Sequence, residues 1–513
     1  MLMGIDTGGT SVKAVVFGED GVAAGTGSHR SPRSTPHPRW AERDMDQAWL
    51  DCATACRMAL ADAHVTGDQI RGVGIVGHGD GLYPIKSDFR PSRAGILALD
   101  SRASELIGGW RQQGILDEVR QINGQQLFEP SQATLCAWLS SHEPDVLANT
   151  RWLLTAKDWL RLCLTGEVAT DTSEATASFG NITGDAYQPE VARLLGIEDV
   201  MSKLPPALPA AAVAGSVTAA AAERTGLTKG TPVVIGTHDV VAGALGSGVT
   251  AADTYCVVVG TWGVNQIIAD QRTLDARWQS RPWVSGNSWL HMATSPASAS
   301  NLDWLLGNIL GDRQNLAALN EQIQQRALSS TGPMFFPFLF GSPYGAGPSA
   351  SFLGLRSWHD PVDLARGVFE GVVFNHLEQL DALRSTFGHR PIRLTGGGAR
   401  SQLWGQLFAD AADTEVSIPD VAETGCWGGA ILAGVGIGIW NSTEQASDQT
   451  LRIRTRYTPD LISQPRVTAD RCRYQAVLAE LPKIWAALER TDRTDSSAAP
   501  AVIGRTDESK VDA

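Results

Sequence analysis

The sequence predicts an α/β protein built from two related halves, and three observations carry that expectation. Within the first forty residues the apolar runs LMGI, SVKAVVF and VAAGTGS are broken by glycines, as in an antiparallel three-strand meander. The device returns half a chain later, where YCVVVGTWGVNQIIAD reads as strand, Gly/Thr turn and strand. Further apolar strand segments alternate with stretches of helical period through both halves. An internal duplication and a chance likeness between two glycine hairpins both remain open on the repeated turn alone.

The elements follow in order. A helix is expected over 46–64, its stripe of Met45, Trp49, Cys52, Cys56 and Leu60 facing a core. A buried strand over 70–76 runs into the turn GHGDG, and a second over 94–99 runs into DSRA. Helical patterns fill most of 105–165, and the uncharged Pro- and Ala-rich stretch 204–222 reads as an extended connector. TPVVIGTHDVVAGALGSG then reads strand, turn, helix. After the second hairpin come helices around 301–310 and 361–383, then IRLTGGGARSQLWGQLFAD, a strand ending in three glycines before a helix. The alternation of Arg452, Arg454 and Arg456 is the wet face of an edge strand, and the Ser-, Asp- and Ala-rich tail 491–513 is expected to be disordered. Two domains result, 1–247 and 248–490.

Composition bounds the partners. The 513 residues are 43% hydrophobic and 19% charged, which excludes a disordered or coiled-coil chain. Forty-two Lys and Arg against 55 Asp and Glu give a net charge of −13, so no nucleic acid or anionic membrane surface is expected as partner. The N-terminal MLMGIDTGG carries no secretory pattern, and the uncharged run 426–440 holds fifteen residues with five glycines, too short to span a bilayer and suited to a buried small-residue helix. Seven scattered cysteines without CxxC pairs read as reduced thiols, hence a cytoplasmic protein. A homodimer is left open.

Three glycine turns offer backbone amides to an anion. DTGGTSVK, from Asp6 to Lys13, adds two hydroxyls and a carboxylate able to hold Mg²⁺; GTWGVN begins at Gly260; TGGG ends at Gly398 before a helix N-terminus. None is a Walker loop or a GxGxxG fingerprint, and each alone is an ordinary turn, but three together favour a nucleotide-dependent phosphotransferase. Asp239, at the strand-to-helix junction of GTHDVVAG, fits an N-cap or a general base, and position alone favours capping. His78, Asp80 and His238 lack the spacing of a zinc site, and no GxSxG or HExxH occurs.

In this order the motifs resemble the FGGY family of carbohydrate kinases from Met3 to about Glu489. They are GIDTGGTSVKA, LTAKDWLRLCLTGEVATDTSEAT, GTPVVIGTHDVVAGALG, GTWG, FLGLRSWHDPVDLARGVFEGVVF and TGGGARSQLWGQLFADAAD. The resemblance implies a two-domain, actin-like ATPase (ribonuclease H-like) fold with a central cleft, and ATP and Mg²⁺ as cofactors. It implies Asp239 as the catalytic base that takes the proton of a primary hydroxyl, and Asp6 as the Mg²⁺-associated carboxylate. Gly8, Gly9, Thr10 and Lys13 fall in the first phosphate loop, Gly260 and Thr261 in the second, and Gly397 and Ser401 at adenosine-contacting positions.

Gly79 and Asp80 stand where similar kinases carry their sugar-contacting pair, Arg-Glu in glycerol kinases and Met-His in D-xylulose kinases, and match neither. A carboxylate at Asp80 suits vicinal hydroxyls of a neutral sugar or polyol and repels an aldonate. Asp100 and Arg102 of LDSRA are further candidates for the cleft wall. GHGDG with LDSRA looks closest to the erythritol and L-xylulose kinase branches, so the expected acceptor has four or five carbons. The competing readings are a glycerol or D-xylulose kinase, a catalytically silent sugar or nucleotide sensor, and an acceptor-independent ATPase.

Overall fold

The computed structural model describes residues 1–181, 187–311, 316–326, 332–344 and 347–495. The expected meander forms as β1 (Leu2–Thr7), β2 (Ser11–Phe17) and β3 (Ala23–Arg30), paired antiparallel. Helix α1 (Met45–Asp62) lies on one face, and Asp44 caps it by accepting the Gln47 amide at 2.9 Å. Strand β4 (Gly72–Gly77) adds parallel to β1. Both faces of β1, β2 and β4 are largely buried, which is why these strands are nearly continuous apolar runs, whereas the edge strand β3 alternates buried and exposed. Val12, Ala14 and Val16 pack with Cys52 and Cys56 on the α1 side, while Leu2, Val15 and Phe17 join a second cluster containing Trp427. All seven cysteines are free.

Helices α2 (Ala156–Thr165) and α3 (Thr172–Ser178) follow, then β5 (Val213–Ser216), β6 (Pro232–Val234), β7 (Thr237–His238) and α4 (Asp239–Gly246). The first sheet has seven strands in the order β5, β6, β4, β1, β2, β3, with β7 also pairing β4. Two expectations need correction. The 204–222 connector contributes β5, an edge strand antiparallel to β6, because an edge needs backbone pairing and not an apolar pattern. The strand expected over 94–99 shrinks to Gly95–Ile96, paired with Glu42–Arg43.

The second sheet also has seven strands. Its hairpin is β8 (Tyr255–Val259) and β9 (Gly263–Ala269), followed by β10 (Gln279–Pro282) and β11 (Trp289–Ser295). Strand β12 (Ile392–Thr395) is parallel to β8 and leads to α5 (Gln402–Ala412). After β13 (Val416–Pro419) comes α6 (Thr424–Gly436), the buried small-residue helix, and β14 (Ile453–Tyr457) closes the edge with Arg452, Arg454 and Arg456 exposed. Among the described residues no helix is long and apolar enough to cross a membrane.

By packing, the chain forms two compact units. One comprises Met1–Thr294 with His376–Asp460, the other Ser295–Asn375 with Leu461–Ala513. The second holds the hairpin Met334–Phe336/Ser351–Leu353 and the helix Gln464–Asp495, whose Tyr474 meets the ring of Phe336 in the hairpin at 4.5 Å and that of Phe374 in the helix Pro361–Phe387 at 5.5 Å. That helix includes the first residues of the expected tail, and 496–513 lie outside the described residues.

Helix α6 reaches the backbone of the first sheet through glycines. A Cβ on Gly4 of β1 would stand 1.8 Å from the Cys426 carbonyl oxygen, and one on Gly74 of β4 would stand 1.9 Å from that of Gly429. Neither backbone can yield without lifting the helix. Gly74→Ala is therefore expected to lower unfolding stability by about 3 kcal/mol in urea titration; an unchanged midpoint would contradict the packing.

Candidate active site

Three parallel strands end side by side: Asp6 faces Val76, and His238 faces Gly77. Their carboxyl ends carry Asp6, His78 and Asp239, in the region where open α/β sheets bind ligands. Across the β1–β2 hairpin Asp6 faces Lys13, whose ammonium bonds both oxygens of Glu423 at 2.9 Å. Oδ1 of Asp6 is buried without a hydrogen-bond partner. Burial and then the Asp239 charge push the Asp6 carboxyl up to about 7, against the pull of Lys13. An orphaned oxygen beside a second carboxylate fits a divalent cation. Among the described residues no cluster of three or more His, Cys, Asp or Glu is placed to hold a metal, so such an ion would complete its shell from phosphate and water.

Asp239 is the first residue of α4, one place after the cap position that His238 takes, so the favoured capping role does not hold. Nε2 of His238 lies 3.2 Å from Asp239 Oδ1. Burial pushes the Asp239 carboxyl up, but the His238 hydrogen bond and charge outweigh it and hold the group below its ordinary value. Burial likewise disfavours imidazolium, but Glu174 and Asp239 leave His238 above its ordinary value. His78 is the contrast: burial and the Arg43 charge lower it to about 4, so it stays neutral.

The stretch 154–176 supports this junction. Lys157, fully buried, bridges Asp158 and Asp171 at 2.7 and 2.8 Å. Asp171 caps α3 through the Ser173 amide and accepts the Thr237 hydroxyl at 3.0 Å, which fixes the residue before His238. Gly79 has a steric reason to be glycine, since a Cβ there would stand 2.3 Å from the His238 ring. Asp80 is buried at φ +58°, with Arg281 Nη2 3.8 Å from its Oδ2. Asp100 spends both oxygens internally, on the Ala41 and Arg102 amides and the Arg102 guanidinium. Arg102 also bonds Glu42 at 2.7 Å and lies 3.9 Å over the Trp40 ring, leaving Nη1 as its one partnerless atom.

In the first loop the Gly8 amide closes the turn on Ser11 O at 3.0 Å, and Thr10 is exposed. Arg43, which carried no signal in the sequence, bonds the Gly8 and Gly9 carbonyls at 3.1 and 2.6 Å and fixes the loop from behind. In the second, the Gly260 amide bonds Trp262 O at 3.2 Å beside exposed Thr261. Gly397 opens a 3-10 turn, and Ser401 Oγ caps α5 by accepting the Trp404 amide at 3.3 Å. None of Gly8, Gly9, Gly260 and Gly397 adopts positive φ, while Gly396 of the TGGG turn does, at φ +83°. Nothing lies within 4 Å of a Cβ at Gly397, and only Leu99, at 3.8 Å, near one at Gly9. The chain itself does not require these glycines, so the open space at them fits a ligand's close approach.

The fold matches solved sugar kinases: a ligand-bound xylulose kinase from Lactobacillus acidophilus superposes with a TM-score of 0.87 at 19% identity, over 95% of this chain and 99% of that one. This is the actin-like ATPase fold. Residues 1–246 match the N-terminal domain of the FGGY family of carbohydrate kinases and 255–437 its C-terminal domain. The chain belongs to that family and is a sugar or polyol kinase, a class that takes ATP as phosphoryl donor. It is 33% identical over 490 residues, 93% of this chain and 97% of the relative, to the L-xylulose/3-keto-L-gulonate kinase of Escherichia coli. It is 28% identical over 462 residues to the erythritol kinase of Brucella abortus, covering 86% and 88%.

The raised Asp6 carboxyl has a measurable cost. Its native pKa lies above the unfolded value, so the native state holds the proton more tightly and stability falls as pH rises from 3.8 towards about 7. In the protein free of nucleotide and metal, Asp6→Asn is expected to raise the Tm by about 2 °C at neutral pH and to leave it unchanged near pH 4. A lower Tm at neutral pH would contradict the reading.

Proposed function

We propose that the chain phosphorylates a primary hydroxyl of a four- or five-carbon open-chain ketose or polyol, L-xylulose foremost, with Asp239 as general base. The observation that carries this is the 3.2 Å contact between Asp239 and His238, which holds the half-buried carboxyl below its ordinary value near Asp6. Asp239 accepts the acceptor hydroxyl's proton as that oxygen bonds to the γ-phosphorus in line and the bond to the β,γ-bridging oxygen breaks, releasing ADP. No covalent enzyme intermediate forms. Asp6 would hold Mg²⁺ together with the nucleotide, and the ion supplies neutralisation of phosphoryl charge. The backbone at Gly8, Gly9 and Thr10, with Lys13, and at Gly260 with Thr261 would bind phosphate; Gly397 and Ser401 would border the adenosine.

Gly79 and Asp80 lie on the acceptor side of this reading, with Asp80 accepting vicinal hydroxyls. Asp100 acts from behind, through the Ala41 amide and Arg102, because its oxygens are already engaged. The divide at 247/248 is the functional boundary between acceptor and base on one side and second phosphate loop and adenosine on the other. The names of the E. coli and B. abortus relatives support the acceptor class. One observation favours a second reading: Arg281, 3.8 Å from Asp80, supplies a cation that would tolerate a sugar acid.

An ATP-consumption screen over L-xylulose, D-xylulose, erythritol, glycerol and 3-keto-L-gulonate is expected to give the highest kcat/KM with L-xylulose. ATP hydrolysis that ignores every acceptor would overturn the reading. Asp239→Asn is expected to lose transfer by about a thousandfold or more while nucleotide affinity stays within about threefold; a fully active variant would sink the assignment of the base.

A further inference from the structure

The carboxylate of Asp239 has two oxygens, and only one can face an incoming hydroxyl. Oδ1 faces the imidazole: His238 Nε2 stands 3.2 Å from it, an ion-pair distance. On the far side of the ring, Nδ1 lies 3.9 Å from Glu174 Oε1, within ion-pair reach but beyond a hydrogen bond, and both atoms are buried without a hydrogen-bond partner. Glu174 sits on α3 and His238 at the end of β7, and Asp171 ties those two elements together through Ser173 and Thr237. The ring has little room to turn, as Gly79 packs against its face so closely that a Cβ would strike it. We propose that His238, packed against Gly79 and drawn electrostatically by Glu174, is a positioning residue for Asp239: it fixes the carboxylate plane and leaves Oδ2 directed to the acceptor hydroxyl.

Other charged groups around the ring do not duplicate this. Arg281, on β10, is turned to Asp80 and the Ser173 carbonyl. His78 is held neutral, and its Nδ1 faces the Gly79 carbonyl at 3.4 Å. Gly79 thus has a second role beside any contact with the acceptor, because a side chain there displaces the imidazole. An imidazole set between two carboxylates orients the base through close charge pairing, and misorientation of the base costs rate more than binding.

This inference rests on Asp239 being the base, and the experiment separates the two. The full chain is assayed with whichever of L-xylulose, D-xylulose, erythritol and glycerol the wild type phosphorylates. His238→Ala is expected to lower kcat by about thirtyfold, with acceptor and nucleotide KM within about threefold. His238→Gln, whose terminal amide N–H reaches the same oxygen, is expected to recover most of that loss. Wild-type kcat in His238→Ala, or His238→Gln no better than His238→Ala, would overturn the proposal. Should His238→Ala fail to fold, the isosteric Glu174→Gln is expected to lower kcat by about threefold at unchanged KM, and a wild-type value would overturn it. Asp239→Asn run in parallel distinguishes the failures. If it is active the base assignment falls and this proposal with it; if it is inactive while His238→Ala is unimpaired, only the positioning role falls.

Discussion

Backbone-to-backbone approach at α6 is the constraint on which the site depends. Three contacts that no side chain could survive seat this helix: Gly4 on the Cys426 carbonyl, Gly74 on that of Gly429, and Gly428 on that of Ala242. The first two hold β1 and β4, and the third holds α4, whose first residue is Asp239. The start of α6 meets Asp6 as well, since a Cβ on Gly425 would stand 2.7 Å from Asp6 Oδ2, and Glu423, just before the helix, pairs Lys13. One helix therefore sets the separation of Asp6 from Asp239. The composition of 426–440, glycine and alanine with apolar residues, follows from that duty rather than from any membrane role.

A second constraint is electrostatic. Asp6, Asp80, Glu174 and Asp239 are gathered where burial disfavours charge, and Asp239 differs from the other three. Asp239 is held ionised by His238, while burial prevails at Asp6 and Glu174, pushing each to about 7. Below them the fully buried Lys157 satisfies Asp158 and Asp171 together, and the gain is geometric: it anchors Thr237 and so the turn into α4. Sites that hold like charges close together trade stability for reactivity.

Much of this was legible in the sequence because the signals were local. The paired hairpins, the strand–turn–helix of GTHDVVAG and the TGGG turn each lie within twenty residues, and all form where expected. What escaped was long-range or steric. Glu423 lies 410 residues from Lys13, and no spacing pattern links them. Arg43 stands in a two-residue strand with no periodicity, yet it supports the loop carbonyls. Gly79 was legible only as a departure from the sugar-contacting pairs of related kinases, whereas its clearance for the His238 ring appears only in three dimensions. Position alone favours a cap at Asp239 because aspartate is common there, and only the resemblance implies a base; the structure puts His238 in the cap position, with its imidazole 3.2 Å from the Asp239 carboxylate.

The central claim is direct transfer from ATP to the acceptor hydroxyl, with Asp239 taking only a proton. The stereochemical course at phosphorus tests it most directly, using ATP whose γ-phosphoryl group is made chiral with oxygen isotopes. A single in-line displacement predicts inversion in the sugar phosphate product. Retention would require two displacements through a phosphorylated enzyme and would contradict the account.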